Sequence, residues 1–448
     1  LQTEKLMITK MNNARTLALI AIGFAASLFG QSVRAAASPV QVGGCKGKSE
    51  VNYTTIQAAV SAVGVGGTVN VCPGTYPEQV TINKSLTLLG NPDGNADNVV
   101  IVPPTTGMAQ NATDPAPYAT NPNIAAQIFV TNASTVTIKN IILNGANNGL
   151  KGCSSAVLVG IYFLNTAGAI NGADVLNEVM DSPADNVCNS GLGIYVEADN
   201  GPAVTVTISA VNNFQKNGIT ANGYGNGLPG PVMNIFSDNV AGQGATSGAL
   251  ENGIQVGYGA TGKVDSNIVS DLVWNGGSTD NPGAEATGIL VIASNDVTVN
   301  SNRIATTQFA IAVVSDPVYG NADDNTVTVN YINNSFVDGI DICSNGNTIQ
   351  NNDEYNSLRA GIHIDSTCTE GSGNSGNNNV LTKNNSNGAC AGLLLGNGTG
   401  NTSSPQILIA NVNYQTLAGN TCSTPLDSSK ASLATQESKT TPHTLAFR

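Results

Sequence analysis

The sequence predicts an all-β chain wound as a β-solenoid, and three observations carry that expectation. A Gly-apolar-x-apolar motif recurs at Gly193, Gly218, Gly253, Gly288, Ala310, Gly339, Gly361 and Gly392. The starts lie 25, 35, 35, 22, 29, 22 and 31 residues apart, which is the spacing of stacked structural repeats. Between them runs a second family of segments with strand alternation: VTIKNIIL (136–143), VTVNSNRI (297–304), VTVNYINN (327–334) and TIQNNDEY (348–355). Each repeat therefore carries more than one strand. The interior lacks helix-period stripes and has too little Leu for a leucine-rich repeat. No Pro/Ser-rich linker divides it, as fits one solenoid of any length. Inward Ile and Val would stack in apolar ladders. Asn at the turns tolerates left-handed backbone and can hydrogen-bond to Asn one coil away.

The repeats begin from a distinctive opening, TTIQAAVSAVGVGGTVNVCPGTYPEQVTINKSLTLLG. Ile56, Ala59, Val60 and Val63 share one face at helical spacing, so residues 54–63 read as a short amphipathic helix ended by Gly64, Gly66 and Gly67. Strands are expected at 68–71, 79–82 and 86–89, separated by the turn chemistry of PGTYP and NKS. This opening resembles that of pectinesterases and of other right-handed parallel β-helix proteins of the pectin-lyase-like superfamily. The resemblance implies a single-stranded right-handed parallel β-helix with a short N-terminal capping helix. It carries over no chemistry. The Gln-Asp and Asp-Phe-Ile-Phe-Gly segments of pectinesterases are absent. So are the site segments of polygalacturonases, pectate lyases and alginate epimerases.

The chain is expected to divide into residues 1–37, a signal peptide with upstream residues, residues 38–423, the solenoid, and residues 424–448, a loose polar tail. With a start at Met7 or Met11, Lys10 and Arg15 form a positive n-region, and residues 16–29 an apolar run of 14, shorter than the ~20 a spanning helix needs. Small residues at 33–37 supply a cleavage site. A secreted, periplasmic or envelope location follows, with no membrane span after signal removal. Losing Lys5, Lys10, Arg15, Arg34 and Glu4 takes the net charge from −13 to about −16. That surface excludes nucleic acid and anionic membranes as partners. A neutral polysaccharide or cell-surface glycan meets no such barrier, whereas polyuronate needs a bridging cation or a basic patch.

Eight cysteines in an exported chain suggest disulfides, with 105 pairings open. Sequential pairs (45–72, 153–188, 343–368 and 390–422) each span about one repeat, and coils ~4.8 Å apart fall within disulfide reach. Zinc is the lesser reading, because no Cys-x-x-Cys occurs.

The repeat alignment also supplies candidate site residues. Positions between the inward Ile and Val point outward, so Tyr195, Thr220, Gln255, Leu290, Ala312, Asp341, His363 and Leu394 form one column, expected to be exposed. A second column holds Glu197, Asn222, Gly257, Ile292, Val314, Cys343, Asp365 and Gly396. Asp341, His363 and Asp365 then share a face, the two aspartates ~8 Å apart on the diagonal. Such spacing suits inverting glycoside hydrolysis, with one carboxyl as acid and the other as base. The alternative is a solvated polar surface. Arg359, Trp274, Tyr195 and Glu197 are substrate-binding candidates, although Arg359 could instead pair with an Asp and Trp274 could be buried. Residues 93–97 imitate the start of a calcium loop but lack its Gly and Glu, and read as a turn. No metal or cofactor is called for, calcium staying open, and a monomer is expected. Two functions remain: a polysaccharide hydrolase or lyase, or a non-catalytic β-helix that binds glycan or another surface.

Overall fold

The computed structural model describes residues 38–45, 51–91, 98–225, 227–246, 248–274, 286–365, 376–396 and 398–404, with the backbone of 407–409 and 413–417. The predicted signal segment and tail lie outside these residues, as does the 93–97 turn. Among the described residues the chain forms three parallel sheets of 14, 12 and 13 strands. One coil contributes Thr135–Lys139 to the first sheet, Ile142–Asn144 to the second and Val157–Leu164 to the third. Each strand pairs in parallel with its counterpart one coil on, Ala167–Asn171, Asp174–Glu178 and Leu192–Glu197. This is the right-handed parallel β-helix. No helix among the described residues is long and apolar enough to cross a membrane.

Each segment of the second sequence family is two strands joined at a corner. Residues 297–304, for example, comprise Val297–Asn300 in the first sheet and the start of Arg303–Thr307 in the second. The corner divides two tasks between neighbours. Ser301 takes left-handed backbone (φ 56°), and Asn302 turns inward. Asn267, Asn302, Asn330, Asn352 and Asn384 then form a buried ladder. Each side-chain Oδ1 from Asn302 onward accepts the backbone N–H of the preceding member, at 3.0–3.1 Å. A second ladder links Asn325, Asn347, Asn379 and Asn401 at 2.8 Å. The expected role of Asn is thus met by a buried amide chain, which satisfies backbone that no sheet reaches.

The recurring glycine has a steric cause. A Cβ on Gly253 would lie 2.6 Å from the Gly288 carbonyl oxygen of the next coil and 2.7 Å from Val269. Gly193, Gly218, Gly288 and Gly339 repeat that close approach, while Gly361 is crowded by the side chains of Ser386 and Glu354. Replacing Gly253 with alanine is expected to cost about 1–3 kcal/mol through overpacking, read as a lowered urea midpoint. An unchanged midpoint would show that the coils can separate freely there.

The helix is shorter than expected, Ile56–Ala62, with Ile56, Ala59 and Val60 buried. Thr55 caps it through Ala58 N, and the Glu78 carboxylate accepts from Ile56 N (2.8 Å) and Gln57 N (2.9 Å). The PGTYP segment departs from its reading as a turn. Gly74–Pro77 is a strand paired with Val99–Val102, fixed by the Tyr76 hydroxyl donating to Cys72 O at 2.6 Å. Disulfides Cys45–Cys72 and Cys153–Cys188 join as expected. Cys343 and Cys390 are disulfide-bonded too, and their expected partners, Cys368 and Cys422, lie outside the described residues.

Candidate functional site

The third sheet reproduces the predicted register. Tyr195, Thr220, Gln255, Leu290, Ala312, Asp341, His363 and Leu394 are successive cross-strand neighbours. Their exposure is the correction. From Tyr195 to His363 every member is buried, and over Tyr195, Leu290 and Ala312 loops fold back across the outward face. Ala112, from the 103–122 loop, packs with Phe129, Tyr162 and Tyr195, while Tyr258 and Tyr319 cover Leu290, Ala312 and Val314.

Asp341 and His363 meet within a closed ionic cluster. His363 Nδ1 lies 3.2 Å from both Asp341 Oδ2 and Asp338 Oδ2. Arg359 forks onto Asp338, its Nε 2.9 Å from Oδ1 and its Nη2 in close contact with Oδ2, and also reaches Asp341. Asp338 accepts from Ala360 N as well. Burial opposes the charge on Asp338, but Arg359 and His363 hold its carboxyl well below the usual range. Burial pushes Asp341 up to about 7, against the pull of His363. On His363, burial is outweighed by Asp341 and Asp338, which raise it to about 10. Two carboxyls, one guanidinium and one imidazole meet inside the protein, and the Asp365 side chain stands within 4.8 Å of Asp341. Arg359 therefore pairs with Asp338 and is not placed to meet a ligand. Asp365 follows the strand Ala360–Ile364, with its backbone N–H on Ile342 O.

Asp338, Asp341 and His363 lie close enough to share a cation, but Arg359 already occupies Asp338. The alternative set of Asp341, Cys343 and Asp365 has its sulfur in a disulfide. Neither set suits a metal ion. Trp274 is remote, at the end of Ile268–Trp274 in the second sheet. Its indole N–H donates to Gly248 O at 3.1 Å and its ring packs on the core.

The third sheet does carry a cleft, nearer the N-terminal end, of about 260 Å³. Its lining runs from Ile124 to Leu290 over six successive coils, about 24 Å at ~4.8 Å per coil. Asn217, Thr220, Asn222, Asn252 and Gln255 form the middle of its floor. These amides are pre-ordered. Asn217 and Asn252 both donate to Gln255 Oε1 (3.1 and 3.2 Å), and Gln255 Nε2 donates to Asn222 Oδ1 at 3.0 Å. The 103–122 loop builds one wall. Its Tyr118 donates to Gly223 O at 2.8 Å and stacks on Tyr258 with ring centroids 4.1 Å apart. Lys216 also lines the cleft, its Nζ donating to Leu250 O, and burial lowers it to about 8.

Of the two remaining candidates, Tyr195 lines this cleft and Glu197 lies beneath it. Tyr195 donates to Asp114 Oδ2 (3.1 Å), and Tyr162 donates to Glu197 Oε2 (2.5 Å). Burial, reinforced by the neighbouring Asp114 carboxylate, raises Glu197 to about 10. The result is a carboxylic acid at Glu197 in contact with Asp114, which lines the cleft. Sequence reasoning missed Asp114, which sits in a loop without period, and Asp338, which a charge match with Arg359 across adjacent coils could have revealed.

Protonated carboxyls recur inside the coils. Burial lifts Glu178 and Glu251 well above the ordinary range, and neither oxygen of Glu178 meets a donor. The folded chain keeps protons that the unfolded chain releases above about 4.5, so the stability from these groups is complete below that pH and is lost as pH rises. Tm is expected to fall as pH is raised from about 5 into the alkaline range, and Glu178→Gln to flatten the slope. A Tm that rises over this interval would contradict it.

Coils, corner ladders and loop-covered outer face together define a protein of the pectin-lyase-like β-helix fold. Among solved structures it is similar to the native GH136 lacto-N-biosidase from Eubacterium ramulus, at 14% identity and TM-score 0.57, covering 83% of this chain and 68% of that one. The selenomethionine derivative of the same enzyme gives 14% and 0.56, covering 83% and 67%. The family 28 exopolygalacturonase of Yersinia enterocolitica gives 13% and 0.48, covering 87% and 77%. No family model matches the chain, and no curated protein matches it in sequence.

Proposed function

We propose that this β-helix binds carbohydrate in the third-sheet cleft, and that the buried Asp338–Asp341–Arg359–His363 cluster is a structural staple. One observation carries the reading: a floor of neutral, mutually ordered amides faces a tyrosine wall. Amides and hydroxyls exchange hydrogen bonds with sugar hydroxyls at no charge cost, and tyrosines supply rigid apolar surface. The cysteine pairs fit an exported protein that meets glycan outside the cytoplasm. Glycoside hydrolase neighbours with the same fold agree with carbohydrate as ligand and leave the substrate open.

Hydrolysis is the second reading, favoured by the raised Glu197 carboxyl standing against Asp114 at the cleft, since perturbed, clustered carboxyls mark candidate sites. Their direct contact is closer than the ~5 Å or more at which paired glycosidase carboxyls work, which is why binding comes first. The test incubates the protein with neutral and acidic polysaccharides, with and without calcium, and reads new reducing ends and unsaturated products. Reducing ends that vanish in Asp114→Asn would establish hydrolysis. Binding without product supports the first reading. Product that survives Asp114→Asn but is lost in Asp341→Asn would return catalysis to the buried cluster.

A further inference from the structure

The floor of the cleft changes character within one coil. Along the outward columns Gln255 pairs with Leu290 and Gly257 with Ile292, and the next coil continues with Ala312 and Val314. An outward position on a solenoid is ordinarily polar, yet four in a row here are apolar. Leu290 and Ile292 line the cleft beside Tyr258 and keep only 4% and 6% of their surface exposed. Gly257 stands at the boundary. A Cβ there would lie 2.9 Å from Asn222 Oδ1 and 3.0 Å from Ile292 Cγ2, so glycine lets the amide band and the apolar patch come into direct contact.

We propose that the cleft takes an acetylated sugar, its hydroxyls on the amides Asn217, Asn222 and Gln255 and its acetyl methyl against Leu290 and Ile292 where they line the cleft. The inference rests on the reading of the cleft as a carbohydrate site and names the class of sugar. A bare hydroxyl placed on Leu290 and Ile292 would lose water and gain no partner, which is costly. A methyl there gains by burial, and its carbonyl reaches back toward the amides. A long acyl chain does not fit, because Ala312 and Val314 behind the patch are fully buried and leave no depth.

The test compares two matched ligand pairs on the full chain by isothermal titration: chitohexaose with cellohexaose, and acetylated with deacetylated xylo-oligosaccharide. The members of each pair share a backbone and differ in acetamido in place of hydroxyl (the first pair) or in O-acetyl groups (the second). The acetylated member of at least one pair is expected to bind more tightly, by about four-fold for each methyl buried. Leu290→Gln, which extends the amide band by one coil, is expected to shrink that ratio toward one. Should it fail to fold, Ile292→Thr serves the same comparison, and the wild-type ratio stands without either. Equal or tighter binding of the unacetylated members overturns the proposal while the carbohydrate reading survives. Binding of none of the four overturns both.

Discussion

Replacing Arg359 with methionine is expected to destabilise the protein by about 3–5 kcal/mol, the usual cost of leaving one member of a buried ion pair without its partner. Asp338 has no solvent to turn to, being fully buried, and its two oxygens are held by the Arg359 fork and by Ala360 N. Its remaining ally would be His363, already shared with Asp341. Chemical denaturation measures the loss. The double variant Asp338→Asn/Arg359→Met should recover much of it, because the stranded charge is then gone. A single variant as stable as wild type would mean that water enters the cluster, and would reopen the case for Asp341 and His363 as reactive groups.

Asn302→Leu should produce a loss of similar size. Leucine fits the volume but offers no acceptor, so the backbone N–H of Asn267 (3.0 Å) and its side-chain amide (3.0 Å) lose their partner. Val264 O loses a donor at 2.9 Å. Orphaning the two buried donors alone costs about 2–6 kcal/mol. The damage should spread along the ladder, so amide exchange would quicken at the corners of the neighbouring coils, around Asn267 and Asn330, before it quickens elsewhere. Protection lost only globally would show that the ladder adds stability without local cooperativity.

These two clusters also show what was legible in the sequence. The register of Tyr195 to Leu394 could be read because the inward Ile and Val obey a strict alternation, and one correct alignment fixes every column. Burial of those columns could not be read. It depends on the 103–122 loop and on Tyr258 and Tyr319, whose positions follow no period and are set by contacts such as Tyr118 with Gly223. Asp341 and His363 were likewise expected on an open face, where the structure buries them against Asp338 and Arg359. Hence also the cleft went unseen, although Tyr195 and Glu197, at the heads of the two columns, pointed toward it. PGTYP failed for a related reason. Its Pro and Gly content says turn, yet pairing with Val99–Val102 overrides that local preference.

The most direct test of the central claim is glycan-array binding by the full chain and by Gln255→Ala. Gln255 sits at the hub of the amide floor, accepting from Asn217 and Asn252 and donating to Asn222. Wild-type protein should bind a defined set of glycans, and Gln255→Ala should weaken every one of them about ten-fold, in keeping with lost hydrogen bonds of about 1–1.5 kcal/mol, in protein that circular dichroism shows to be still folded at the assay temperature although its Tm falls. Glycan binding that ignores Gln255→Ala would place the ligand elsewhere on the coils, and the cleft would no longer be the site.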